Sequence, residues 1–136
     1  SQGVMETKAE VAESTEAPLK VSAEVQAKSE HIMQIAAYST RAAIMEAWIE
    51  LETAAAEVAS SFWQTSDTEI MKKKVNLAEY LYKCGVVGPQ QVKTFKALKK
   101  LRNQVAHAQE IDISEKDVLS YIYLASNLSI HLRSKV

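Results

Sequence analysis

At 136 residues with three glycines and two prolines, the chain is long enough for one domain with a sizeable core and too poor in turn formers for a sheet of short strands. A net charge of −1 excludes a molecule that binds nucleic acid through its overall field, although a local basic face stays open. The single cysteine, Cys84, excludes an internal disulfide framework and fits a reducing cytosol.

Alanine, glutamate, lysine, leucine and methionine favour helix, and no window alternates apolar and polar residues as strands do. The expected fold is all-α, an antiparallel four-helix bundle with an extra N-terminal segment. Residues 1–21 carry no aromatics and few apolar groups, and composition reads them as an N-terminal tail or a short helix over Met5 to Glu16, closed before Pro18. Ser1-Gln2-Gly3 has the look of a cloning remnant, in which case the chain is a piece of a longer one.

Residues 22–136 form the expected bundle. A long helical stretch covers 22–62, with a break expected at Tyr38-Ser39-Thr40, where three poor helix formers meet. Ile44, Trp48, Leu51, Ala55, Val58 and Phe62 step by four and three along one side of it. The second helix opens on a capping box of Ser66 and Glu69, runs through Met71, Val75, Ala78 and Leu81, and stops at Gly85. The third begins at Gly88-Pro89, with proline suited to the first helical position, and buries Val92, Phe95, Leu98, Leu101 and Val105 before ending near His107. Ser114, with Asp117 three residues on, caps a fourth helix whose stripe is Val118, Tyr121, Ala125, Leu128 and Leu132.

The third helix ends in Arg102-Asn103-Gln104-Val105-Ala106-His107, a compact set of groups for handling a phosphate. Arginine stays charged and grips phosphate with paired hydrogen bonds, and an imidazole can take and give a proton near neutral pH. Asn103 and His107 are four apart and stack on one helix face, whereas Arg102 lies about 140° round the axis from His107. A long side chain, a frayed end or a second subunit has to close that gap. Lys96 and Lys100 run into the hexad as a polar stripe, Lys93 and Lys99 flank it, and Lys72-Lys73-Lys74 add charge on the second helix, a set suited to a phosphate backbone. The plainer reading of these lysines is a solvated helix face. The plainer reading of the hexad is a helix end whose arginine and histidine bond the last carbonyls.

Leu101-Arg102-Asn103-Gln104-Val105-Ala106-His107, preceded by Phe95-Lys96-Ala97-Leu98 and followed by Asp112-Ile113-Ser114, resembles the HEPN superfamily, and Arg41 to Trp48 is similar to an early helix of that group. The resemblance covers residues 36–134. It implies a helical bundle that forms a homodimer and, in many members, cleaves RNA without a metal or other cofactor in toxin, defence or RNA-processing systems. Carried over by position, it implies Arg102 as the phosphate ligand, Asn103 as its polar neighbour and His107 as the proton-transfer group. RNA and an antitoxin or other partner protein are the partners it suggests.

Two function classes stay open: a dimeric, metal-independent endoribonuclease, and a non-catalytic helical module for dimerisation or protein interaction. Trp48 and Trp63 read as core or interface anchors rather than base-stacking platforms. Each Tyr-x-Tyr pair, Tyr80/Tyr82 and Tyr121/Tyr123, is expected to present one ring outward. His31 and His131 have no partner at a metal-binding interval and read as surface or capping groups, and Cys84 reads as a small buried hydrophobe. No apolar run approaches the roughly 20 residues of a membrane span, and no signal-peptide block opens the chain, so the expected location is cytoplasmic.

Overall fold

A computed structural model of the chain describes residues 2–16, 22–63, 76–110 and 112–136. Among these residues the protein is all-helical, with six helices: α1 (Gln2–Glu16), α2 (Ala23–Ala36), α3 (Thr40–Trp63), α4 (Leu77–Lys83), α5 (Pro89–His107) and α6 (Glu115–Arg133). The expected capping box at Ser66 and Glu69, the stripe members Met71 and Val75, the lysines at 72–74 and the side chain of Trp63 lie outside the described residues.

Local chemistry sets the helix ends. The break expected at Tyr38-Ser39-Thr40 separates α2 from α3, and Ser39 Oγ caps the second of them by accepting from Ala42 N at 3.1 Å. Asn76 Oδ1 opens α4 by accepting from Glu79 N at 3.3 Å. Pro89 takes the first position of α5, and Gln91 Oε1 accepts from the Gly88 N–H at 2.9 Å. Ser114 Oγ caps α6 through Asp117 N at 3.1 Å.

Helix α4 closes in a Schellman turn. Val86 N reaches Leu81 O and Gly85 N reaches Tyr82 O, each at 3.0 Å, with Gly85 at φ 75°. Nothing lies within 4 Å of where a Cβ on Gly85 would stand, so only the backbone conformation demands glycine there. Gly85→Ala is expected to lower stability by about 1 kcal/mol, read as a shift of the urea midpoint at constant slope.

Long-range contacts fix the helix directions. His31 meets Glu50 (3.0 Å) from α2 to α3, Arg41 at the start of α3 reaches Ala108 past the end of α5, and Arg133 at the end of α6 meets Glu57 late in α3. Helices α3 and α6 thus run side by side in one direction, and α2 and α5 run in the other. Their apolar stripes merge into one core in which Ile44, Leu51, Leu98, Leu101, Tyr121 and Leu132 are fully enclosed. The Trp48 and Phe95 rings join α3 to α5, with centroids 5.0 Å apart and planes tilted by 59°. Phe62, expected on the same stripe, is 48% exposed. The Glu57–Arg133 contact marks the end of α6, so among the described residues that helix does not reach the last turn of α3.

The segment that composition reads as a tail or short helix is a fifteen-residue helix laid against α5 and α6. Thr7 and Val11 are buried beneath it. It runs antiparallel to α5, with Glu10 near Lys100 (3.8 Å) and Gly3 beside Gln104. Lys8 ties it to the start of α6 by donating to Asp112 O at 2.9 Å and approaching Asp117 at 3.7 Å.

Candidate functional site

The hexad occupies the last turns of α5. Leu101 and Val105 point into the core and hold the helix in phase, which sends Asn103 and His107 to solvent and leaves Arg102 half-buried beside the α5–α6 seam. The Tyr121 hydroxyl, fully enclosed, donates to Leu98 O at 2.9 Å, one turn before Arg102. Burial pushes that hydroxyl far above the ordinary phenol range, and the Arg102 charge nearby pulls it weakly back.

Arg102 and Asn103 are brought together. The Nη1 of Arg102 donates to Asn103 Oδ1 at 3.2 Å, while its Nε is buried and has no hydrogen-bond partner among the described residues. Asn103 lies about 40° from His107 around a helix axis. The bond therefore draws the guanidinium from the seam toward the face that carries His107, narrowing the angular gap set by the helix. His107 itself is exposed and makes no hydrogen bond to any described residue. One chain thus presents at this helix end one exposed imidazole and a guanidinium bonded to the intervening Asn103.

The Ala108 carbonyl at this helix end has another partner. Arg41, from the first turn of α3, donates through Nη2 to Ala108 O. An arginine does cap the end of α5, but it is neither Arg102 nor helped by His107. Sequence reasoning missed Arg41 as a capping group, because the two residues stand 67 positions apart and no local pattern joins them. It also missed the Tyr121 hydroxyl, seen only as a member of an apolar stripe. Arg41→Leu is expected to cost about 1.5 kcal/mol and to speed amide exchange in the last turn of α5 more than elsewhere, as measured by hydrogen exchange.

The basic stripe is largely answered by carboxylates of the same chain. Lys96 donates to Glu79 of α4 and holds that carboxyl below the usual carboxylate range, first through the hydrogen bond and then through its charge. Lys100 faces Glu10 of α1 at 3.8 Å, and Lys99 has no ionic partner among the described residues. Such exposed pairs add little stability, and their lysines stay open to exchange with other anions.

A groove of about 400 Å³ opens between the start of α1 and the α5–α6 loop, lined by Val4, Met5, Lys8, Val105, Ala108, Glu110 and Asp112. Its one ammonium is already held by α6, and its lip carries Glu110 and Asp112, so a phosphate is repelled there. His107 lies outside it.

Of the other singled-out residues, Tyr82 is exposed, Tyr80 and Tyr123 are half-buried and Tyr121 is enclosed. His31 pairs with Glu50, and His131 Nε2 lies 2.8 Å from Val86 O, so both hold surface positions between elements. Cys84 is free and half-buried against the core, beside Tyr80. Among the described residues no group of three histidine, cysteine or acidic side chains is placed to hold a metal ion, and no helix is long and apolar enough to cross a membrane.

No protein-family model, no curated protein and no solved structure matches the chain.

Proposed function

We propose that the chain is a HEPN-like four-helix domain that cleaves RNA as a homodimer without a metal ion, using Arg102 and His107 of both subunits. The observation that carries this reading is the idleness of His107. It stands exposed at a helix end whose cap is supplied by Arg41, next to an arginine turned toward it by Asn103. One carbonyl that an arginine or a histidine at this place would serve, that of Ala108, is already held by another residue.

The chemistry follows from these groups. One His107 takes the proton of a 2′-hydroxyl, and the 2′-oxygen attacks the adjacent phosphorus. The guanidinium of Arg102 binds the charge that builds on the phosphorane oxygens, and a second imidazole returns a proton to the departing 5′-oxygen. The products are a 2′,3′-cyclic phosphate and a free 5′-hydroxyl. A single imidazole cannot be base and acid in one step, so the two-fold assembly supplies the second.

The test is incubation of the full chain with single-stranded RNA in EDTA. The expected result is cleavage with a cyclic-phosphate end that disappears in His107→Ala; cleavage that persists in that variant removes the proposal.

A second reading is favoured by the pairing of Lys96 with Glu79 and of Lys100 with Glu10. A helix face neutralised from within suits a non-catalytic module that docks a protein. RNA left both unbound and intact in every assembly state would select it.

A further inference from the structure

Tyr38 is the most exposed large hydrophobic side chain of the described residues. It is 94% exposed, in the turn between α2 and α3. The backbone of this turn is firmly built: Tyr38 N and Ser39 N both bond Ile35 O, at 3.0 and 2.9 Å, and Ser39 caps α3. The ring is thus held out by an ordered turn rather than by a frayed end. An aromatic ring left fully in water loses the burial that such residues normally contribute.

The fold puts that ring at the His107 end of the protein. Arg41 lies three residues after Tyr38 and donates to Ala108 O, and Ala108 follows His107. A path of four residue steps and one arginine side chain joins the two. Arg41 uses a single N–H in this bond among the described residues, and the bond sets its guanidinium at the same end of the bundle as the turn that carries Tyr38. An exposed ring, a guanidinium and a free imidazole at one end of a helical domain form the arrangement by which proteins hold an unpaired nucleotide, with the base on the aromatic face and the phosphate at the cation.

We infer that Tyr38 is a nucleobase-stacking residue that anchors a single-stranded RNA beside His107. The inference rests on the ribonuclease reading of that site and adds its substrate class. A base can reach the ring only when it is unstacked, so the RNA bound is single-stranded rather than duplex, and selection among the four bases is weak because each has a π-face.

The test uses the full chain and a fluorescein-labelled dodecamer of 2′-O-methyluridine, which binds without being cut, beside the same backbone carrying abasic sites. Fluorescence anisotropy is expected to show Tyr38→Ala binding the uridine strand roughly tenfold more weakly, Tyr38→Trp binding it as tightly as the native chain, and neither change altering the abasic strand. Equal affinity in Tyr38→Ala, or an equal loss on both strands, overturns the inference. So does a loss that tracks dissociation of a dimer in sedimentation, which would make Tyr38 a protein contact, and so does failure of the native chain to bind the uridine strand. If Tyr38 behaves as expected while His107→Ala still cleaves RNA, stacking stands and the assignment of His107 falls.

Discussion

On the ribonuclease reading, alanine at position 107 removes the base and the acid of the dimer together and is expected to lower RNA cleavage by at least about 10² to 10⁴, the usual share of a single proton-transfer group, while the domain stays folded. The side chain is exposed and bonded to no described residue, so its loss leaves no cavity and no orphaned polar group. Any change in the thermal melt should therefore be small and unable to explain lost activity. A mixing experiment tests directly whether the proposed site is shared between two subunits. With equal amounts of native and His107→Ala chains exchanging freely, about a quarter of the dimers keep both imidazoles, so activity should fall to about a quarter rather than half. A fall to half would show that each chain works alone.

The second large effect lies in the core. Trp48→Ala is expected to destabilise the fold by about 3–5 kcal/mol, against a total that for domains of this kind is about 5–15 kcal/mol. Trp48 is 3% exposed and tilts against Phe95, so truncation removes buried area, leaves a cavity and breaks the ring pair that joins α3 to α5. Helix α5 carries the hexad, and loosening it should also reduce any activity of Arg102 and His107. Urea unfolding would show the midpoint falling at constant slope. Trp48→Phe, which keeps an aromatic ring in place, should lose less than half as much. A Trp48→Ala midpoint within error of the native value would mean that the core does not depend on this contact.

The stripes were legible because a helix repeats every 3.6 residues and the apolar side must be the buried one. Ile44, Trp48, Leu51, Ala55 and Val58 are all enclosed, as are Phe95, Leu98, Leu101 and Val105 on α5 and Val118, Tyr121, Ala125, Leu128 and Leu132 on α6. Caps were legible for the same local reason: Ser114, Gly85 and Gly88-Pro89 act within three or four residues of themselves. Phe62 shows the limit of that reasoning. Its phase fits the stripe, but burial needs a neighbour, and α6 ends near Glu57. Helix α1 shows the converse. Its sequence is weakly apolar, yet Thr7 and Val11 are buried because α5 and α6 present a surface for them.

The order of residues alone determined that this chain is helical, where most of its described helices begin and end, and that Arg102, Asn103 and His107 close one of them. It also fixed the angular conflict between Arg102 and His107, since that is a property of any α-helix. Only the tertiary structure decided what these groups are free to do. It bent the Arg102 guanidinium to Asn103, gave the end of α5 to Arg41, matched Lys96 and Lys100 with Glu79 and Glu10, and set Tyr38 out in water at the same end. Periodicity records which side of a helix is apolar. It carries no record of which distant residue will satisfy a carbonyl or answer a charge, because those partnerships exist only once packing has brought the helices together.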